Sequence, residues 1–447
     1  MANTLPRRGL FVRRLSAGRR CVDLVVGDIH TVVIDMANFI ALLTAILSTL
    51  VTSPAAPVDD RYNKEVPYGN ALTSPIKAPP EGYEQIFIEN VGRHGSRTLT
   101  SSAGEERARK IWESAKNQKV LTVRGQSFES DLTAFQAAER KIGYGNMSSL
   151  GKAEWTGIGR RTAANYGDYL TKAAADGDTI AYKVTTFQRT EESADAMIKG
   201  LKTTVPGLKV ADRHVDARLL IIRGSTIDAN HAVNQILASK PVVDASKELL
   251  RVMYTPAYVD SIKDPVLAAQ DVYKLYATAA GMQGDTDVTF EKYVPLDLAK
   301  EMAYVVDAQN FYGFGPGIAA QDFSYRAARP ILADFFDELD KRIAGGSTAA
   351  VFRPAHGETT MPFAALLQLP GSEKQAAKGE VYTYDNNPWR GSVAGRLAGN
   401  VEWVAYRKGE SVLVTMRYNE QPVPFKADCK AAAPFFYEVA ELKRCLR

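Results

Sequence analysis

The sequence predicts an α/β fold, with a central, mostly parallel sheet flanked by helices and an α-helical cap. Three observations predict it. Strand-like runs at Glu84–Val91, Ile180–Phe187 and Ala349–Phe352 each lead into a polar turn and then a helical pattern. The span from about Asn230 to Ile343 is patterned as helix almost throughout, with no β-rich run of useful length. The composition is that of an ordinary globular chain with ample length for a large core: 447 residues, 45% apolar and 24% charged.

Taken in order, residues 1–56 read as a leader. They hold six arginines against Asp23, Asp28 and Asp35. Phe39–Val51 fits the apolar region of a signal peptide and is too short to span a bilayer. Ser53, Ala55 and Ala56 suit a cleavage site. The rival reading is an uncleaved membrane anchor over Met36–Val51. The 35 residues before Met36 are long and acid-interrupted for a signal peptide, so translation is expected to start at Met36. Residues 52–82, rich in Pro, Ala and Gly and including Lys64, read as an extended lead-in.

Helices are expected at Glu105–Ser114, Gln126–Lys141, Leu150–Thr171 and Glu191–Leu201, and a strand at Asp216–Arg223. The helical insert is punctuated at Pro256, Pro265, Gly284 and Pro295, carries a Gly-rich loop at Phe311–Gly317, and stops at Gly345-Gly346. A helix is expected at Phe363–Leu369, with Pro362 near its start. Glu402–Arg407 and Val412–Tyr418 read as a hairpin turning at Lys408-Gly409. The domain plan is therefore a leader (1–56), a first part of the core (57–229), a helical cap (230–343) and a second part of the core (344–447).

Three strand ends carry the chemistry. Arg93-His94-Gly95-Ser96-Arg97 places a histidine between two arginines, whose planar forks match phosphate oxygens. Histidine can attack phosphorus and carry the phosphoryl group. Arg189-Thr190 with Ser193-Ala194 follows the second run, and Arg353-Pro354-Ala355-His356-Gly357-Glu358 follows the third. Ligands of open α/β sheets bind at the carboxyl ends of strands. Outside the leader the net charge is about +1, so no global basic field points to nucleic acid. Past the leader the chain keeps only Cys429 and Cys445, which read as one disulfide in a secreted protein or as two thiols in a reducing compartment. No metal-binding pattern and no nucleotide-loop motif is present, so neither a metal nor a cofactor is expected.

Together these motifs resemble the histidine phosphatase superfamily in its acid phosphatase and phytase branch. Acid phosphatases and fungal phytases typically end in His-Asp, whereas multiple inositol polyphosphate phosphatases carry His-Ala-Glu-Thr. His356-Gly357-Glu358-Thr359 is closer to the second group, as are Gly399–Trp403, Val414–Pro424 and Cys429. The resemblance covers roughly residues 84–447. It implies a secreted, monomeric phosphomonoesterase acting on inositol polyphosphates such as phytate. His94 would be the nucleophile, and Arg93, Arg97, Arg189 and His356 would bind phosphate. Glu358 would protonate the leaving alkoxide, from an extended backbone that points it to the same side as His356.

Two departures stand out. Gly357 replaces the usual alanine. Thr98-Leu99 replaces an aromatic or aliphatic residue followed by proline, which predicts a less rigid turn. Lys152, Arg160, Arg161, Arg213, Arg218 and Arg223 are candidates for further phosphates. Two alternatives stand: a broad acid or sugar phosphatase of the same branch, and a non-catalytic phosphate-binding surface protein.

Overall fold

The computed structural model describes residues 60–69, 74–224 and 226–446, together with two short strands nearer the N-terminus. Those strands, β1 (Cys21–Leu24) and β2 (Val32–Asp35), pair antiparallel. They belong to a unit, residues 1–58, separate from the body at 59–447. The apolar segment Phe39–Val51, the cleavage site and the proposed start at Met36 lie outside the described residues.

The body is built on one mixed sheet. Its central strand β3 (Glu84–Arg93) pairs in parallel with β7 (Thr348–Ala355), which pairs in parallel with β4 (Thr179–Val184). Short strands β5 (Lys209–Val210) and β6 (His214–Val215) extend the parallel half. On its other side β3 meets β8 (Asn400–Lys408) antiparallel, then β9 (Ser411–Tyr418), flanked by β10 (Gln421–Val423) and β11 (Tyr437–Glu438). β8 and β9 are the hairpin read from the alternating pattern.

Both faces of the sheet are covered, so β3 and β7 are buried along most of their length, Glu89, Asn90 and Arg353 included. Side chains alternate along each strand. Phe87, Val91, Val351 and Ala355 pack on one face with Phe335, Phe363 and Trp403. Ile88, Ala350 and Phe352 pack on the other with Trp155, Tyr182 and Met197. A third core lies among helices that include Ala103–Asn117, Phe128–Ile142, Pro265–Ala280 and Leu296–Phe314. The helix Arg329–Ile343 lies against the sheet, with Phe335 on Phe363 and Trp403. Cys429 and Cys445 form a disulfide across a 16-residue separation. Closing such a loop is worth on the order of 3 kcal/mol. Among the described residues no helix is long and apolar enough to cross a membrane.

Four local expectations are corrected. Asp216–Arg223 forms a single 3-10 turn at Ala217–Leu219, not a strand, because Asp216 turns back to accept from the Arg218 amide and guanidinium. The helix Leu296–Phe314 runs into the expected Gly-rich loop, because Phe311 stacks on Tyr382 at 4.4 Å and is fully buried. The helix expected at Phe363 begins at Gly357 and contains Pro362. Finally, the lead-in carries a 3-10 turn, Asp60–Glu65, that bears directly on the site.

Candidate active site

Register sets the site. Arg93 of β3 lies opposite Ala355 of β7, so the next residues, His94 and His356, leave the sheet side by side. The His94 amide donates to the Ala355 carbonyl at 2.9 Å, and the two imidazoles stand edge to face at 5.7 Å. Both are buried, each 2% exposed.

The bend after β3 is fixed by the helix Ser149–Asp176. Ser148 caps that helix, accepting from the Gly151 amide. Gly95 and Gly151 touch backbone to backbone, and a Cβ on Gly95 would meet the Gly151 carbonyl oxygen at 2.5 Å. Only glycine permits this approach. One turn along, the buried Glu154 carboxylate accepts from the Ser96 amide and hydroxyl and from the Tyr68 amide. Trp155 donates its indole N–H to the Arg93 carbonyl. The Thr98-Leu99 turn is not loose, contrary to expectation. Thr98 donates its hydroxyl to Gly143 and accepts from the Gly145 amide, while the Leu99 amide donates to Glu139. Side-chain hydrogen bonds do here what proline would otherwise do.

The two imidazoles are tethered differently. His94 Nδ1 faces the Gly95 carbonyl at 2.8 Å; a carbonyl only accepts, so Nδ1 carries the proton and Nε2 keeps its lone pair. His356 Nδ1 accepts from Arg189 Nη2 at 3.2 Å, because a guanidinium only donates. His356 Nε2 therefore donates to Thr185 Oγ1 at 2.9 Å, and Thr185 is in turn braced by Thr190. Burial, followed by the charges of Arg93, Arg97 and Arg189, holds the His94 pKa well below its ordinary value. Burial and then Arg189 bring His356 down to about 3. Both rings are neutral.

Three guanidiniums surround them. Arg93, 1% exposed, donates from Nη1 to the Lys64 and Gly395 carbonyls and from Nη2 to Glu65 at 3.0 Å. Arg97 donates to the Thr98 carbonyl at 2.7 Å and approaches Glu65 at 3.5 Å. Arg189, in the first turn of the helix Gln188–Lys202, stacks over Phe187 at 4.4 Å. Burial and the neighbouring Arg97 lower the Arg189 pKa to about 10. The Nε–H of each of these three arginines is buried and has no partner among the described residues. Buried donors are normally paired; Arg396, Arg407 and Arg417 leave an Nε–H unpaired elsewhere, but these three belong to arginines whose charges act together on His94, a setting that suits an anion.

Glu358 is not on extended backbone. His356 is the N-cap of the helix Gly357–Leu366, with its amide bonded to Thr359 Oγ1 at 3.2 Å, and Glu358 lies in the first turn. The helix forms because Thr359 supplies the capping partner three residues on. Glu358, 37% exposed, pairs with Lys64 at 2.9 Å. Lys64, against burial and helped by Arg93, holds its carboxyl well below the usual range.

Sequence reasoning missed Lys64 and Glu65. It noted Lys64 only as a charge in the lead-in, and no periodicity marks either residue. Arg353, adjacent to the distal motif, points into the sheet instead, donating to Asp334 and Glu89. Most of the candidate cations for further phosphates are already engaged: Lys152 by Glu192, Arg161 by Glu420, Arg213 by Asp195, Arg218 by Asp216 and Asp334, and Arg223 by the Gln309 carbonyl. Arg160 lines an open groove of about 650 Å³ with Lys152 and Lys199.

The fold is that of the histidine acid phosphatase class. No protein-family model and no curated protein matches the chain. Among solved structures, the multiple inositol polyphosphate phosphatase of Bifidobacterium longum is similar at 30% identity and a TM-score of 0.82. The match covers 87% of this chain and 97% of that one, and the same phosphatase was also solved with inositol hexasulfate and with phosphate. The phytase of D. castellii shares the fold at 13% identity and a TM-score of 0.60, over 90% of this chain and 88% of that one. The chain belongs to the multiple inositol polyphosphate phosphatase family, and is a phosphatase.

Proposed function

We propose that the chain is a secreted phosphomonoesterase that hydrolyses inositol polyphosphates, phytate and its lower phosphates among them, through a phosphohistidine on His94. One observation carries this reading. A neutral His94, its Nδ1 proton tied to Gly95, keeps its Nε2 lone pair beside three arginines whose Nε–H groups lack partners among the described residues.

The steps follow from the groups present. His94 Nε2 attacks phosphorus, and the P–O bond to the inositol carbon's oxygen breaks. Arg93, Arg97 and Arg189 take up the charge spread over the phosphoryl oxygens, the largest contribution in such sites. His356 joins them when Arg189 turns to the phosphoryl group and the freed Nδ1 takes a proton from solvent, drawn by the phosphate dianion. The departing alkoxide accepts a proton from Glu358, an effect worth about 10²–10⁴-fold. Glu358 is ionised in the free enzyme, so it must gain its proton with the substrate. A phosphate dianion offsets Lys64 and Arg93 and raises the carboxyl into a range where it holds one. In the second half Glu358 takes a proton from water as that water attacks phosphohistidine, which frees phosphate and restores His94.

The test is phosphate release by the full chain from phytate and from glucose 1-phosphate at pH 5 and pH 7. Preference for phytate supports the reading. Equal rates favour the broad phosphatase, and no release from either favours a binding protein.

A further inference from the structure

The turn Asp60–Glu65 places a carboxylate inside the cluster of arginines. Its conformation is specified locally. Asn63 adopts a positive φ of 44°, is 2% exposed, donates to the Tyr273 hydroxyl at 2.7 Å and accepts from the Glu65 amide. Lys64 and Glu65 thereby reach different partners in one site: Lys64 meets Glu358, and Glu65 meets Arg93 and Arg97. Burial raises the Glu65 pKa, but Arg93, Arg97 and Lys64 outweigh it and leave it at about 2, so the charge is permanent.

We propose that Glu65 is the charge-setting residue of this cage, limiting its grip on phosphate so that product leaves. The inference rests on the phosphoryl-cage reading above. Arg93, Arg97, Arg189 and Lys64 bring four positive charges, Glu358 and Glu65 two negative ones, and both histidines are neutral. In the free enzyme the balance is +2, and without Glu65 it would be +3, so Glu65 removes one unit of attraction for an incoming or departing phosphate. Glu65 is not what holds Arg93 in place, because Arg93 Nη1 is fixed by the Lys64 and Gly395 carbonyls. A cage that binds product as tightly as the transition state gains nothing in turnover.

The test compares full-length wild type with Glu65→Gln, reading the inhibition constant of inorganic phosphate together with kcat and KM on phytate. Arg93 keeps its two carbonyl partners in the variant, so the expected result is phosphate inhibition tighter by about tenfold or more, with KM and kcat both lower. Inhibition that is unchanged or weaker overturns the proposal and makes Glu65 a mere brace. If Glu65→Gln does not fold, Glu65→Asp withdraws the charge by one methylene. It should tighten phosphate about two- to threefold, and no tightening overturns the proposal equally. A wild type that neither hydrolyses phytate nor is inhibited by phosphate refutes the cage reading itself. An active, phosphate-inhibited wild type with an indifferent Glu65→Gln refutes only this inference.

Discussion

His94 and His356 leave neighbouring parallel strands at the same level and sit in the same field of guanidinium charge, yet they are not equivalent. His94 spends one nitrogen on its own chain and keeps the other free. His356 spends both, one on Arg189 and one on Thr185. Charge alone does not separate them, since burial and the same arginines lower both pKa values. The partner of each nitrogen does. A ring with a free lone pair is equipped to attack, whereas a ring held at both nitrogens is equipped to aim an arginine.

The largest effects are expected at the two histidines themselves. His94→Ala should lower kcat by about 10⁴-fold or more with the melting temperature little changed, because the covalent route is lost. His356→Ala should cost about 10²-fold, the scale of one lost donor in a preorganised site. Equal losses at the two positions would erase the asymmetry.

A smaller effect concerns the acid. Lys64→Met removes the foremost cause of the low Glu358 pKa. The carboxyl should then hold its proton to higher pH, moving the alkaline limb of kcat up by about one pH unit. A limb that stays put or moves down would remove Glu358 as proton donor.

The neutral rings also predict a stability slope. A histidine whose folded pKa lies below its unfolded value of about 6.5 favours the unfolded state as pH falls below that value. For His356 this loss continues down to about pH 3. Glu65 and Asp334, with pKa values of about 2, begin to lose their contribution only as pH falls through the ordinary carboxylate range. Between about pH 6.5 and 5 each neutral ring loses up to about 1.4 kcal/mol per pH unit, while buried Asp307 and Glu139, raised to about 7 and about 9, gain as pH falls. The His356 share is read as a difference: as pH falls over that interval the melting temperature of His356→Asn should rise relative to wild type; identical slopes would mean that His356 is protonated in the folded state.

The smallest effect is at Gly357. A Cβ there would lie 3.3 Å from Arg93 Nε. Gly357→Ala should shift KM by about two- to threefold through Arg93, and a change of about tenfold or larger would show a more rigid contact than the geometry suggests.

How legible the site was depends on what holds each part. The bends after β3 and β7 were readable because each follows a largely apolar run beside a dense cluster of charge, with Glu89 and Arg353 already inside the strands, and the parallel register then brings the two ends together. The Arg189 turn was readable for the same reason. Glu358 was assigned to the right neighbourhood on the wrong backbone, because the Thr359 cap that starts a helix at Gly357 is a side-chain effect that an extended reading overlooks. The turn at Asp60–Glu65 left no periodic trace: its partners lie 28 to 332 residues away, from Arg93 to Ser392. Asp216–Arg223 failed differently, since its apolar run is broken by an Asp216–Arg218 hydrogen bond two residues apart.

The central claim is that His94, and not His356, carries the phosphoryl group. Rapid quench of the full-length protein with radiolabelled phytate into alkali, where phosphohistidine survives, tests it most directly. Acid-labile label is expected on the peptide containing His94, absent from His94→Ala and retained in His356→Ala. Label on the His356 peptide, or none on either peptide during rapid turnover, would contradict it.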